Sequence, residues 1–249
     1  MTVALEARGL TREFKGFVAV KDVDLKVEKG TIHALIGPNG AGKTTFFNLL
    51  TKFLQPTRGT ILYEGRDITR MAPAEIARLG MVRSFQISAV FPDLSVLQNV
   101  RVALQRKRGE SFDFWRSEKS LMRFDDEARR YLDEVGLSEF IGHRAAELPY
   151  GRKRALEIAA TLALEPEMLL LDEPMAGMGQ EDVERISALI RRVARNRTIL
   201  MVEHNLSVVA DLSDRITVLA RGEILAEGDY ATVSKSPEVI DAYIGAGHE

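Results

Sequence analysis

Apolar and polar positions alternate along the first 35 residues, in VALEARGL, FVAVKDVDLKV and TIHALI, and this period of two predicts strands with a turn at Lys29-Gly30. KTTFFNLLTKFL, which follows a glycine-rich loop, has the period of a helix instead. TILYEG predicts another strand, residues 74–79 a helix, and MVRSFQ one more strand. From about residue 88 to 164 the pattern turns mostly helical, and SEKSLMRFDDEARRYLDEVG predicts a long amphipathic helix that Gly136 can terminate. MLLLDEP then reads as a buried strand, 181–195 as a helix, TILMVEH as a strand and NLSVVADLS as a short helix. RITVLA and EILAEG close the pattern as a strand pair around Arg221-Gly222. Strands alternating with helices favour a parallel sheet. The expectation is an α/β fold with a mostly parallel sheet, an antiparallel β subdomain at the N-terminal side and a helical insertion over 88–164.

Composition narrows the partners. With 249 residues, 45% hydrophobic and 28% charged, the chain can bury a substantial core and stay soluble. A formal net charge of −2 gives no whole-protein attraction to nucleic acid or to anionic membrane, so no nucleic-acid partner is expected. The absence of cysteine removes disulfides, thiolate nucleophiles and thiolate metal sites. The N-terminus carries Glu6, Arg8, Arg12 and Glu13 and lacks the apolar stretch of a secretory signal. No window reaches the ~18 apolar residues of a membrane span, so a soluble protein is expected, peripheral if it works at a membrane.

GPNGAGKT, Gly37 to Thr44, matches G-x-x-x-x-G-K-[ST] and sits between a predicted strand and a predicted helix, where that motif must sit. Gly37, Asn39, Gly40, Ala41 and Gly42 can curl backbone N–H groups around phosphate oxygens, and the helix N-terminus adds its positive dipole. Lys43 is placed to reach the β- and γ-phosphates, the Thr44 hydroxyl to ligate Mg²⁺, and Thr45 to add a further hydroxyl contact. MLLLDEP ends a buried strand in two carboxylates. Asp172 can hold Mg²⁺ directly or through water, and Glu173 can polarise an attacking water. Without the loop upstream, an acidic pair before Pro174 would read equally as a helix cap.

Three single residues are ambiguous one by one. Gln86 reads alone as an exposed glutamine, or as a ligand of Mg²⁺ or water. His204 reads as a cap, or as a site histidine. Phe14 reads as core, or as a platform for a base. Their order with the other segments, Phe14, GPNGAGKT, Gln86, LPYGRKR, LDEP, His204, alters that balance. In this order the chain resembles the ATP-binding subunits of ABC transporters over nearly its whole length. FNLLTKFLQPT, VRSFQ, a tyrosine before the signature glycine, VEHNL and a terminal AYIG resemble the branched-chain amino acid importer (LivG-type) branch.

The resemblance implies one ABC ATPase domain over 1–249 that uses ATP and Mg²⁺ and pairs head-to-tail with a second ATP-binding subunit, a copy of itself or a paralogue. It implies docking on two transmembrane permease subunits through the helical insertion, a solute-binding protein outside the membrane, and a place on the inner face of the cell membrane. It implies that His204 contacts the γ-phosphate, Glu173 handles the water, Gln86 reaches Mg²⁺, Phe14 stacks on the base and Gly151 offers its amide to the opposing nucleotide. An exporter ATPase for lipid or lipopolysaccharide and a soluble ABC-type ATPase are the alternatives.

The signature departs from the family's L-S-G-G-Q: the chain reads Leu148, Pro149, Tyr150, Gly151, Arg152. Proline offers neither hydroxyl nor backbone N–H. Arg152 reads as a compensating charge or as a solvated side chain. Gly179 stands where an aspartate or asparagine is common after LDEP. All three bear on the trans side of a dimer, so the chain is expected to present a weakened signature to its partner. Lys52 replaces a small residue common at its position.

Overall fold

The N-terminal hairpin is longer than its apolar pattern predicts. In this computed structural model, which describes residues 2–84, 90–107 and 122–245, strands β1 (Val3–Phe14) and β2 (Phe17–Glu28) pair antiparallel down to Phe14 opposite Phe17. Lys15 and Gly16 both take positive φ, 47° and 91°, as a two-residue type I′ turn requires. The first strand was expected to end at Leu10; with register shifts after Ala7 it continues, paired with β2, to the exposed Glu13 and Phe14.

The remaining elements run β3 (Ile32–Ile36), α1 (Lys43–Leu50), β4 (Arg58–Tyr63), β5 (Arg66–Asp67), α2 (Pro73–Arg78), β6 (Met81–Arg83), α3 (Val96–Lys107), α4 (Asp125–Glu134) and α5 (Tyr150–Leu162). Then come β7 (Met168–Asp172), α6 (Gln180–Ala194), β8 (Thr198–Val202), α7 (Leu206–Leu212), β9 (Arg215–Ala220), β10 (Glu223–Gly228), α8 (Tyr230–Val233) and α9 (Pro237–Gly245).

Two sheets result. One is antiparallel in the order β2-β1-β4-β5; the other has the order β10-β9-β3-β8-β7-β6, parallel except for β10. Every residue of β3, β7 and β8 is buried, as expected for a parallel sheet covered on both faces. Alternation decides which layer each side chain enters. Met168, Leu170, Leu200 and Val202 pack with Phe46 and Phe47 of α1 and with the antiparallel sheet, whereas Leu169, Leu171, Ile199 and Met201 pack against the helices. The sheet therefore holds the tips of β3, β7 and β8 side by side, and the candidate site is built on those tips.

Two helices are shorter than predicted. The first was expected to run on to Leu54 but stops at Leu50, because Lys52 takes φ 64° and the Leu54 N–H donates back to the Asn48 carbonyl at 3.0 Å. The helix expected over 117–136 starts at Asp125 after a 3₁₀ turn at 122–124, with residues 117–121 outside the described ones. Asp125, Asp126 and Glu127 fill its first turn, where acids favour a start, and Asp125 pairs with buried Arg101 of α3 at 2.5 Å. Its end is as predicted: the Leu137 N–H donates to the Leu132 carbonyl at 2.7 Å, past Gly136. Helices α3, α4 and α5 share one apolar core between β6 and β7 in sequence.

Candidate nucleotide site

The Gly37–Gly42 loop leaves the tip of β3 and enters α1. Gly37 lies so close to β9 that a Cβ there would stand 2.0 Å from the Leu219 carbonyl oxygen, and one on Gly42 would stand 2.4 Å from that of Ala19. Only glycine fits either place, so the backbone itself forms the wall of the loop. Gly42 caps α1 without any side-chain bond, which leaves the first-turn N–H groups free for an anion. The buried Lys43 donates from Nζ to the carbonyls of Gly37 at 2.7 Å and Pro38 at 2.9 Å. Burial lowers its pKa, and the Glu173 carboxylate nearby opposes that shift. Thr44 is exposed and Thr45 half-buried on the same first turn.

At the tip of β7, Asp172 is buried and Glu173 begins the next loop with φ 44°, a left-handed conformation that is strained for a side chain bearing Cβ. The Glu173 N–H is fixed by the Val202 carbonyl at 2.9 Å. Its Oε1 lies 4.0 Å from Nδ1 of the exposed His204, which follows β8. The fold thus brings Lys43, Glu173 and His204 together from three strand tips.

Asp172 does not face open space: its Oδ2 accepts from Arg83 Nη2 at 2.5 Å, and Arg83 Nη1 donates to Asn48 Oδ1 at 2.6 Å. Asn48 is one turn beyond Thr44 on the same face of α1, so the Arg83 bridge draws Asp172 toward the Thr44 face. Among the described residues no group of three or more His, Cys, Asp or Glu could cage a metal. One hydroxyl and one carboxylate beside a phosphate loop suit Mg²⁺, which keeps several waters and takes phosphate oxygens.

Phe14 sits at the end of the N-terminal hairpin, 38% exposed, with the Arg12 guanidinium 4.5 Å above one ring face. Gln86 lies outside the described residues.

Comparison with known proteins decides the family. The ABC transporter family model matches residues 20–176, and the model for branched-chain amino acid ATP-binding cassette transporters matches residues 223–249. The chain belongs to the ABC transporter family. It is similar to the high-affinity branched-chain amino acid transport ATP-binding protein BraF of Pseudomonas aeruginosa, 41% identical over 97% of each chain. Identity to the LivG protein of the same description from Escherichia coli is 39% over 97% of each chain. In three dimensions it resembles the ADP conformation of an ATP-binding cassette of an ABC transporter, with TM-score 0.87, 29% identity, and coverage of 98% of this chain and 100% of the other. A nucleotide-free cassette gives TM-score 0.86 at 29% identity, covering 98% and 99%. The chain is therefore an ABC ATPase, with the expected α/β architecture.

The signature segment of this cassette opens α5. Pro149 is the N-cap with no side-chain hydrogen bond, and Gly151 packs so tightly on Asp182 of α6 that a Cβ would meet its carboxylate at 2.3 Å. Arg152 takes a position that neither reading gave it: its guanidinium stacks 4.0 Å over the Phe140 ring of its own chain. Gly179 is an exposed N-cap of α6 with no side chain to cap it.

Sequence reasoning missed three residues. Arg83 is one: a cation at the end of a strand beside the LDEP strand was the available signal. Arg154 is another, buried with Glu157 at 2.6 Å and donating to the Asp172 carbonyl at 3.1 Å. Glu203 is the third, fully buried, accepting the Met175 N–H at 3.0 Å and the His204 N–H at 3.2 Å. Burial raises its pKa, with those N–H bonds opposing. It ties the loop after Glu173 to the segment bearing His204.

Proposed function

We propose that this ABC ATPase drives an importer of branched-chain amino acids or related small polar solutes. One observation carries that reading: residues 223–249 match the branched-chain-specific family model, at the end of a chain similar throughout to transport proteins of that description. Export of lipid or lipopolysaccharide and a soluble role are not favoured.

In this reading residues 1–249 are one ATPase domain with 88–164 as its helical subdomain. Lys43 exchanges the Gly37 and Pro38 carbonyls for β- and γ-phosphate oxygens, and the loop amides with the α1 N-terminus bind the rest of the chain of phosphates. Glu173 orients and deprotonates the attacking water, a role worth ~10²–10⁴ in rate. His204, beside it, contacts the γ-phosphate. Phe14 stacks on the base with the ring face that Arg12 leaves open. Thr44, Asp172 and Gln86 hold Mg²⁺, which when bound neutralises phosphate charge; the part given to Gln86 rests on the family resemblance. Gly151 serves the nucleotide of a second ATP-binding subunit.

An apolar groove of about 790 Å³, lined by Phe53, Ile76, Phe91 and Val102, is the surface offered to the two transmembrane permease subunits. No helix of the described residues is long and apolar enough to cross a membrane, so those subunits supply the path. The cassette sits on the inner face, and a solute-binding protein delivers cargo from the other side.

Reconstitution in proteoliposomes with candidate permease subunits and a solute-binding protein from the same organism tests this. ATP-dependent uptake of leucine, isoleucine or valine, lost in Glu173→Gln, is the expected result. ATP hydrolysis coupled to none of these solutes would overturn the substrate reading.

A further inference from the structure

We propose that Arg83 is the positioning residue of Asp172: it fixes this carboxylate for Mg²⁺ and ties it mechanically to the apolar groove. The proposal rests on reading Asp172 as the metal-side carboxylate.

Arg83 ends β6, which lies parallel to β7 with Arg83 opposite Leu170, so its side chain emerges beside the β7 tip. From there the guanidinium reaches three elements. It donates to Asp172 Oδ2 at 2.5 Å, to Asn48 Oδ1 at 2.6 Å and to Thr51 Oγ1 at 3.3 Å, and it lies 5.0 Å from the Phe47 ring centroid and 5.4 Å from that of Phe53. The two side chains are 12% and 4% exposed, Arg83 first. Burying a charged side chain is costly unless a counter-charge and hydrogen bonds accompany it, and Arg83 supplies both to Asp172. The planar fork also dictates where the carboxylate points, because Asn48 and Thr51 hold the other guanidinium nitrogen.

Among the described residues Arg83 pairs with Oδ2, and in this proposal Oδ1 goes to the metal; the Asn48 contact ties that carboxylate to α1, which carries Thr44. Arg83 thus orients one metal-side group relative to the other. Partners of this kind behind a metal ligand typically contribute about 10–100-fold to metal affinity.

The same guanidinium is part of the groove wall together with Phe53, Thr51 and Phe91. Phe53 is 52% exposed. A partner segment that presses on Phe53 therefore presses on the group that holds Asp172. The route from groove to carboxylate is one side chain long.

Mn²⁺ binding to the ADP complex of the purified full chain, titrated by EPR, tests the proposal, with ADP affinity in EDTA measured alongside. Arg83→Met should weaken Mn²⁺ at least about tenfold while leaving metal-free ADP affinity within about twofold, a split that general loss of structure would not produce. Arg83→Lys should recover part of the loss, since an ammonium pairs with Asp172 but cannot fork onto Asn48 and Thr51. Asn48→Ala should show a smaller loss of about threefold, as the pair survives but its anchor does not. If Arg83→Met does not fold by circular dichroism, Arg83→Lys and Asn48→Ala decide by the same measure. Unchanged or tighter Mn²⁺ binding in the Arg83 variants, with Asp172→Asn losing it, overturns the proposal. Wild-type Mn²⁺ affinity in Asp172→Asn instead overturns the reading of Asp172 on which it rests.

Discussion

The Tyr150 hydroxyl donates to the Ala176 carbonyl at 3.1 Å, joining the first turn of α5 to the loop that follows Glu173. Both segments belong to the surface that the family resemblance assigns to the second ATP-binding subunit, so the bond holds two parts of one docking face in register. Tyr150→Phe removes only that hydroxyl. The bond contributes about 0.5–1.5 kcal/mol. Dimerisation of the Glu173→Gln chain with ATP is expected to weaken up to about tenfold, with ATP affinity of the monomer unchanged. Sedimentation with and without ATP checks this; an unaltered dimer would show that the two segments are held independently.

Pro149 is expected to weaken the site it offers to a partner. It lacks the hydroxyl that serine gives to the opposing γ-phosphate, and Arg152 does not replace it, because that side chain is stacked on Phe140. One hydrogen bond to a charged group contributes about 1.5–3 kcal/mol. Pro149→Ser should therefore raise ATP hydrolysis of the assembled transporter by about tenfold or more. Turnover measured in the complex decides, and an equal rate would mean that the Gly151 amide and the α5 dipole already suffice.

What could be read from the chain was whatever is encoded locally. The phosphate loop is eight consecutive residues whose glycines explain themselves, and the LDEP carboxylates follow an unbroken apolar strand. Glu173 and His204 could be named singly, but their 4.0 Å approach needs β7 and β8 to be neighbours. Arg83 was hidden for the same reason: its partners Asp172 and Asn48 stand 89 and 35 residues away in sequence. Glu203 in VEHNL looks like a solvated acid, and only the fold shows it buried on backbone N–H groups. The early end of α1 at Leu50 defeated periodicity, since TKFL continues the apolar spacing while Lys52 turns left-handed.

His33 should make the protein sensitive to mild acid. It is fully buried in β3, and its Nε2 meets Thr217 Oγ1 at 2.7 Å. Thr217 in turn donates to Glu227 at 2.9 Å, which assigns the ring proton to Nε2 and leaves buried Nδ1 without a partner among the described residues. Burial lowers its pKa to about 4; Glu227 opposes the shift and Arg215 adds to it. Between pH 6.5 and 4 the unfolded chain takes up a proton that the folded chain refuses, so stability falls as pH falls through that window. The loss from this one group is about 2.5 kcal/mol at pH 4.5 relative to pH 7. Urea midpoints at the two pH values, compared between wild type and His33→Leu, isolate it. Equal pH dependence in both proteins would exclude His33 as the source.

Lys52 is a stability defect at the end of α1. It is 3% exposed, its Nζ is buried without a hydrogen-bond partner among the described residues, and its φ of 64° is one that glycine adopts freely. Burial lowers its pKa to about 8, with Asp67 opposing. Between pH 10.5 and 8 the unfolded chain binds a proton before the folded one does, so stability declines as pH falls through this range and the whole penalty is present at pH 7. The shift corresponds to about 3 kcal/mol, from which the packing of the lost aliphatic stem must be subtracted. Lys52→Gly removes the buried ammonium and relaxes the left-handed backbone together, and a net gain of about 1–2 kcal/mol is expected at pH 7. The gain should shrink as pH rises toward 10, where the wild-type amine is neutral in its folded state. Chemical denaturation at pH 7 and pH 9.5 measures both terms, and a midpoint at pH 7 no higher than wild type would show that packing of the stem outweighs the buried charge.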